Sequence, residues 1–424
     1  MSSVIGQRLP RHDAVLQVTG KAIYGEDLKM PGMLYCKVRR AGVPHARILK
    51  VDTSPAEAMP GVMAVVTAKD VPFNAFGFTH LDQPVIAGEK VCYAGDAVAA
   101  VAATSLEVAE EAAKAIKVEF EELPAVFDPL EAMRPDAPKI HDTNVPSHLK
   151  IRFGDVEKGF AEADLVIEER YTTQFVEHAH IEPHAQLAYY DPTGKLTVWS
   201  TVQRPFLIAA DLGKVLKMPL SKIRVITPCI GGGFGGKNEM TTEAIIALLA
   251  MKTGRPVKIV FTREEEFTAT TCRHPYVMFY KTGVKRDGTI TAREVKIISD
   301  AGAYVSWGES TLTKAMVHAA GPYKIANVKI DAYLVYTNNN IGGAMRGFGV
   351  PQVGYAYECH TDSVARAIGM DPLEFRMKNC VRTGEMLPTG QVLSKATLDV
   401  ILDRLADMSG WKAAKQEATG GDSK

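Results

Sequence analysis

The sequence has no excess of charge of either sign. Lys plus Arg and Asp plus Glu both number 49 among 424 residues, so the formal net charge is zero. No global field therefore draws in nucleic acid or an anionic membrane. Paired cysteines are missing too. Cys36, Cys92, Cys229, Cys272, Cys359 and Cys380 are scattered, with no CxxC spacing. That absence argues against a disulfide framework, a zinc knuckle and an iron–sulfur cluster held by this chain, and suits reduced thiols in a cytoplasmic protein. No apolar leader runs through residues 1–15, so a secretory signal is not expected. The longest purely apolar run, 244–251, is far short of the roughly 18 residues that span a bilayer. A Ser-centred elbow is absent, so hydrolase chemistry would lack its nucleophile.

What the sequence does have is glycine, concentrated at two places. Gly231-Gly232-Gly233-Phe234-Gly235-Gly236-Lys237 follows a β-like run at 224–230 and precedes a helical pattern at 241–252. A strand, a glycine turn and a helix start would present bare backbone N–H groups to an anion or an oxygen-rich group. Read alone, the run fits several templates. It matches the phosphate loop GxxxxGK, with Asn238 where a magnesium-binding Ser or Thr should stand. Gly231, Gly233 and Gly236 also match GxGxxG, and a tight turn packed on its own helix fits as well. The second place is 342–352. There Arg346 offers a planar fork for an oxyanion, Gly347 and its neighbours bring amides close, and Phe348 gives a face for a planar ring. Two such loops read as two walls of one pocket.

The rest of the chain predicts an α+β protein. Strand patterns at 33–38 and 62–66 precede a capping box of Thr104 and Glu107, a helix over 105–116 and a strand over 117–123. A proline-rich stretch from 124 suits a linker. Strand patterns at 196–201, 257–261 and 328–336 follow. Helices are expected over 241–252, burying Ile245, Leu248, Leu249 and the Lys252 stem before Gly254, and over 353–368 before Gly369. The tail after Trp411 reads as fraying. His178, His180, Glu182 and His184 cluster in sequence. Alternation would put the first three on one strand face in a zinc-like pattern, but Pro183 disturbs that strand, and buried or interface histidines are preferred. Glu264, Glu265 and Glu266 read as a solvated acidic turn.

The segments 231–237 and 343–352 together resemble the molybdopterin-binding subunits of the xanthine dehydrogenase/aldehyde oxidase family. Residues 18–22, 44–48, 93–96, 154–156, 182–183 and 337–338 fall in the same family order, and the ordered set displaces the nucleotide-loop readings. The resemblance is strongest to split members of the nicotinate dehydrogenase type. It implies a small hammerhead-type α/β domain over 1–123, a linker over 124–150, and the first half of a molybdopterin-binding domain over 151–424. It further implies hydroxylation of an N-heteroaromatic substrate with water-derived oxygen, a purine or aldehyde substrate being the alternative. The cofactor would be molybdenum on molybdopterin, in its cytosine dinucleotide form. By position, Gln203 matches the glutamine that bonds the molybdenum oxo group. Gly233, Phe234 and Gly235 match the loop beside the metal, Arg346 and Gly347 the second cofactor contact, and Phe348 the aromatic that stacks on substrate. Lys314 falls where relatives place a substrate-binding Arg. Asn238 stands where purine-oxidising relatives have Glu, which disfavours xanthine. The family's general-base glutamate has no counterpart here. A second molybdopterin subunit would supply it, with a small 2Fe–2S subunit and an FAD subunit carrying the electrons.

Overall fold

The computed structural model describes residues 4–411, so the segment read as a fraying tail lies outside the described residues. The chain divides into two compact units, neither of them continuous in sequence. One comprises residues 1–125, 177–272 and 338–341, and the other residues 126–176, 273–337 and 342–424.

The first unit is built on a seven-stranded mixed sheet. Its order is Ile223–Ile226, Leu196–Ser200, Ala185–Tyr190, Val257–Val260, Leu34–Arg40, Ala97–Ala103 and Val62–Thr67. Early and late segments meet where Leu34 registers with Val257 in a parallel pair. One apolar core spans both, from Leu34 and Ala100 to Val198, Ile246 and Ile259. The helix Glu243–Thr253 lies in that core. Residues 243–250 are all buried, so it is apolar all round rather than striped. It ends, as its glycine predicts, on Gly254 in the left-handed region (φ 65°). Lys252, expected to bury its stem, is exposed and donates to Val65 O and Asp70. The helix Leu106–Ala115 is capped one residue later than the capping box predicts. Ser105, not Thr104, accepts the Val108 N–H.

The second unit holds a five-stranded sheet in the order Ser147–Phe153, Val328–Tyr336, Ile290–Gly302, Tyr276–Val284, Leu165–Thr172. The helices Gly308–His318 and Val350–Ala367 pack on it and on each other. In the proline-rich stretch, Asp128 caps a short helix, Pro129–Ala132, and Ile140 is fully buried.

A buried acid sits in the first unit's helix Pro205–Val215. Asp211 is 6% exposed, and burial raises its pKa from 3.8 to about 6, with Lys214 opposing and Glu243 reinforcing the shift. The unfolded chain therefore ionises this group first. Its neutral form costs nothing below about pH 4. Stability falls as pH rises from 3.8 to about 6, and above that the whole penalty stands, on the order of 2–3 kcal/mol. Asp211→Asn should therefore melt above the wild type at pH 7.5, with the gap shrinking at pH 4.5. Thermal unfolding at the two pH values checks this.

Candidate functional site

The glycine loop 231–237 belongs to the first unit, between the strand Ile223–Ile226 and the helix Glu243–Thr253. It does not run directly into that helix, because residues 238–242 intervene. The loop is therefore not a helix N-terminus, and its shape comes from what it packs on. A Cβ on Gly231 would stand 2.5 Å from Glu182, one on Gly233 2.5 Å from Gln203, and one on Gly236 2.8 Å from the His178 ring. Gly235 has φ 107°, a region that branched side chains avoid. Between these glycines Phe234 is also left-handed (φ 52°) and 48% exposed. An exposed aromatic held in a sparsely populated backbone region marks a place where structure is kept for function.

Two side chains fix the loop. Glu182 accepts from the amides of Gly231 (2.7 Å) and Gly25 (3.2 Å), and from the Lys237 ammonium at 2.8 Å. Lys237 Nζ also donates to Glu182 O at 2.9 Å, and the lysine is fully buried. Burial pulls the Lys237 pKa down, and the Glu182 carboxylate opposes it. A lysine so placed cannot reach a phosphate, so the phosphate-loop reading fails. On the other side, Gln203 Oε1 accepts from the amides of Gly235 (2.9 Å) and Lys237 (3.3 Å). Two N–H donors on one oxygen settle which way the amide points. The Gln203 NH2 group is left as a donor on an exposed side chain. Among the described residues, the N–H groups of Gly232, Gly233 and Phe234 have no protein acceptor. Gln203, Phe234 and Gly235 are thus brought together, with Asn238 half-buried just beyond the loop.

The histidine cluster is rearranged from its sequence pattern. Residues 178–182 form no strand, and Ala179 is left-handed (φ 48°). Glu182 serves Lys237, while the carboxylate beside the histidines is Glu266, from the helix Arg263–Ala269. Glu266 is fully buried, not part of a solvated turn. Burial alone would raise its pKa, but bonds from His184 outweigh that and hold it below the ordinary range. His180 is held down at about 4, by burial first and the Lys237 charge second. It is neutral at physiological pH.

The second glycine loop belongs to the other unit. A Cβ on Gly347 would strike the Pro351 ring at 2.3 Å, and one on Gly349 the Thr311 carbonyl at 2.3 Å. Phe348 is left-handed (φ 53°) and meets Trp307 edge-on at 6.1 Å. Arg273 holds the loop from below, donating to Arg346 O at 2.8 Å and Gln352 Oε1 at 3.3 Å. The Arg346 guanidinium itself is exposed and has no protein acceptor among the described residues. Lys314 lies on the helix Gly308–His318, one turn beyond the Thr311 that abuts Gly349, and is exposed rather than buried. Sequence reasoning missed the supports: Glu182 under the first loop, and Arg273 and Trp307 under the second.

Comparison with known proteins bears on both units. Residues 19–124 match the aldehyde oxidase and xanthine dehydrogenase a/b hammerhead domain, and residues 139–380 the molybdopterin cofactor-binding domain. The chain is 40% identical to the nicotinate dehydrogenase large molybdopterin subunit of Eubacterium barkeri, over 97% of this chain and 99% of that one. It is 34% identical to the xanthine dehydrogenase molybdenum-binding subunit of Escherichia coli O157:H7, over 96% of this chain but 56% of that one. Among solved structures, the aldehyde oxidoreductase from Desulfovibrio gigas superposes with a TM-score of 0.91 at 36% identity, covering 97% of this chain and 47% of that one. Quinoline 2-oxidoreductase from Pseudomonas putida 86 superposes with a TM-score of 0.92 at 29% identity, covering 99% and 56%. The chain therefore spans nearly all of the first relative and about half the length of the other three. Hammerhead region, cofactor-binding region and their order along the sequence all agree: the chain belongs to the molybdopterin-binding oxidoreductases of the aldehyde oxidase and xanthine dehydrogenase family.

Proposed function

We propose that this chain is the large molybdopterin subunit of a multi-subunit molybdenum hydroxylase that acts on nicotinate or a similar N-heteroaromatic acid. The observation that carries this reading is the locked Gln203 amide. Its oxygen is taken by two loop amides, so its NH2 group and the unpaired amides of Gly232, Gly233 and Phe234 form one set of neutral donors. Such a set suits the oxygen-rich ligands around molybdenum and the pterin, and needs no protein ligand to the metal. When bound, the cofactor supplies the two-electron chemistry that hydroxylates an electron-poor carbon with water-derived oxygen.

The residues of this chain bind and orient. Gln203 donates from Nε2, and the Gly233–Gly235 backbone sets how closely the cofactor approaches. Arg346 donates its exposed fork to a phosphate or pterin oxygen, with Gly347 letting the backbone come near. Phe348, steadied by Trp307, offers a face to a planar ring. Asn238, just after the first loop, is a residue we assign to the substrate. The proton acceptor is a glutamate of a second molybdopterin subunit, since a base is needed and the carboxylate under the loop, Glu182, is already bonded by Lys237 and by the amides of Gly231 and Gly25. A 2Fe–2S subunit and an FAD subunit take the electrons, the pterin carries a cytosine dinucleotide, and the assembly works in the cytoplasm. The family domains we assign are 1–123 and 151–424, joined by 124–150. The substrate class is supported by the 40% identity to the nicotinate dehydrogenase subunit and by Asn238 in place of an acid.

Lys314 is the residue we assign to the substrate's carboxylate. It is exposed, no protein anion pairs with it among the described residues, and its neighbours Thr313 and Val317 leave it accessible. In the assembled enzyme, Lys314→Met should raise KM for a carboxylated heterocycle and affect an uncharged analogue less. One charge-assisted contact is worth roughly 1.5–3 kcal/mol, a tenfold to hundredfold effect on kcat/KM. Lys314→Arg should keep more activity than Met. An equal change for both substrates would remove Lys314 from the site.

A further inference from the structure

Beneath the glycine loop's anchor lies a cluster that the proposed function does not use. His180, His184 and Glu266 are 1%, 1% and 0% exposed. Each imidazole gives one nitrogen to an oxygen. His180 Nδ1 bonds Glu182 O at 2.6 Å, and His184 Nδ1 bonds the Glu266 carboxylate at 2.9 and 3.0 Å. The His184 backbone N–H donates to the same carboxylate. With Nδ1–H donating to the Glu182 carbonyl, His180 Nε2 is left as a lone pair that faces the Glu266 carboxylate. Both Nε2 atoms are buried and have no hydrogen-bond partner among the described residues. A buried lone pair that faces a buried carboxylate is a costly arrangement unless something electropositive sits between them.

The spacing says what that is. One ligand atom from each of the three residues lies within 4.8 Å of the others. His180 Nε2 stands 3.7 Å from Glu266 Oε2. Two donors held at about 2.1 Å by a tetrahedral ion stand about 3.4 Å apart. The Glu182 carbonyl on the far nitrogen of His180 is also the arrangement that orients a metal-binding imidazole. We propose that His180 through Nε2, His184 through Nδ1 with its proton released, and the Glu266 carboxylate form a binding site for a divalent cation of the zinc type, separate from the molybdenum cofactor. The cationic neighbours are already engaged. Lys237 is paired with Glu182 at 2.8 Å, and Arg263 donates to the carbonyls of His180 and Ile181. Glu266 is left to face the ion. A bound ion ties residues 180–184 to the helix Arg263–Ala269. Through Glu182 it steadies Gly231 and Lys237, which makes it a structural clamp under the loop.

The test uses the full chain, stripped with a chelator and titrated with Co2+ alone. The site predicts equimolar binding, with the visible bands of a tetrahedral ion that added Zn2+ abolishes, and a melting temperature raised by the metal. His180→Gln should lose those bands with its far-ultraviolet circular dichroism unchanged. No binding by the wild type, or binding that survives in a folded His180→Gln, overturns the proposal. Should that variant not fold, anomalous scattering from wild-type crystals grown with Co2+ decides the matter. A peak among His180, His184 and Glu266 supports the site, and a peak elsewhere or none overturns it.

Discussion

Gly235→Val should strip molybdenum and pterin from the purified complex by at least tenfold while leaving the chain folded. At φ 107° a β-branched residue is strained, and a backbone held in such a region costs on the order of 1–3 kcal/mol. The substitution also disturbs the Gly235 amide, which holds Gln203 Oε1 at 2.9 Å. If that bond loosens, the Gln203 amide is free to turn and present its oxygen outward. An oxygen facing the cofactor's own oxygens repels where the NH2 group attracted. The strain falls on the loop and leaves the core of Leu34, Val198 and Ile246 untouched, so the chain should stay folded and lose only about 1–3 kcal/mol of stability. Metal analysis and pterin fluorescence of the purified variant, set beside its melting curve, separate the two effects. Wild-type molybdenum content would mean that 231–237 is only a turn.

The second large effect is on stability. Lys237→Met should cost about 3–5 kcal/mol, because it leaves the Glu182 carboxylate buried without its partner. The pair is well sealed, with side chains 0% and 10% exposed. Glu182 would keep only the amides of Gly231 and Gly25. Adding Glu182→Gln to Lys237→Met should recover much of the loss, since no unpaired charge is then buried. Denaturant unfolding of the two single variants and the double variant measures this. Equal destabilisation by the double variant and by Lys237→Met would show that the charge is not what matters.

The features behind these two effects differ in how far the sequence shows them. The glycine loop is visible as composition, and its neighbours Gln203, Phe234 and Gly235 do meet. The mode of support is not visible. A lysine after a glycine run suggests a phosphate contact, whereas here it turns inward to a glutamate 55 positions earlier. Nothing local reports a long-range ion pair. For the same reason adjacency in sequence matches the histidines with Glu182, when the carboxylate beside them, Glu266, arrives from a helix 82 positions on. Strands at 62–67, 196–200 and 328–336 are legible because alternation and flanking Gly or Pro act within a few residues. The joining of 34–40 to 257–260 in one sheet is not, because parallel pairing leaves no mark in either segment.

The central claim is that this chain holds molybdopterin and works with partner subunits. Its most direct test is to purify the chain natively with whatever co-elutes, and to measure molybdenum and pterin nucleotide per chain. The account predicts equimolar molybdenum and a pterin dinucleotide, with iron only on co-eluting subunits. A chain that carries neither molybdenum nor pterin, and instead binds ATP and magnesium tightly, would contradict it.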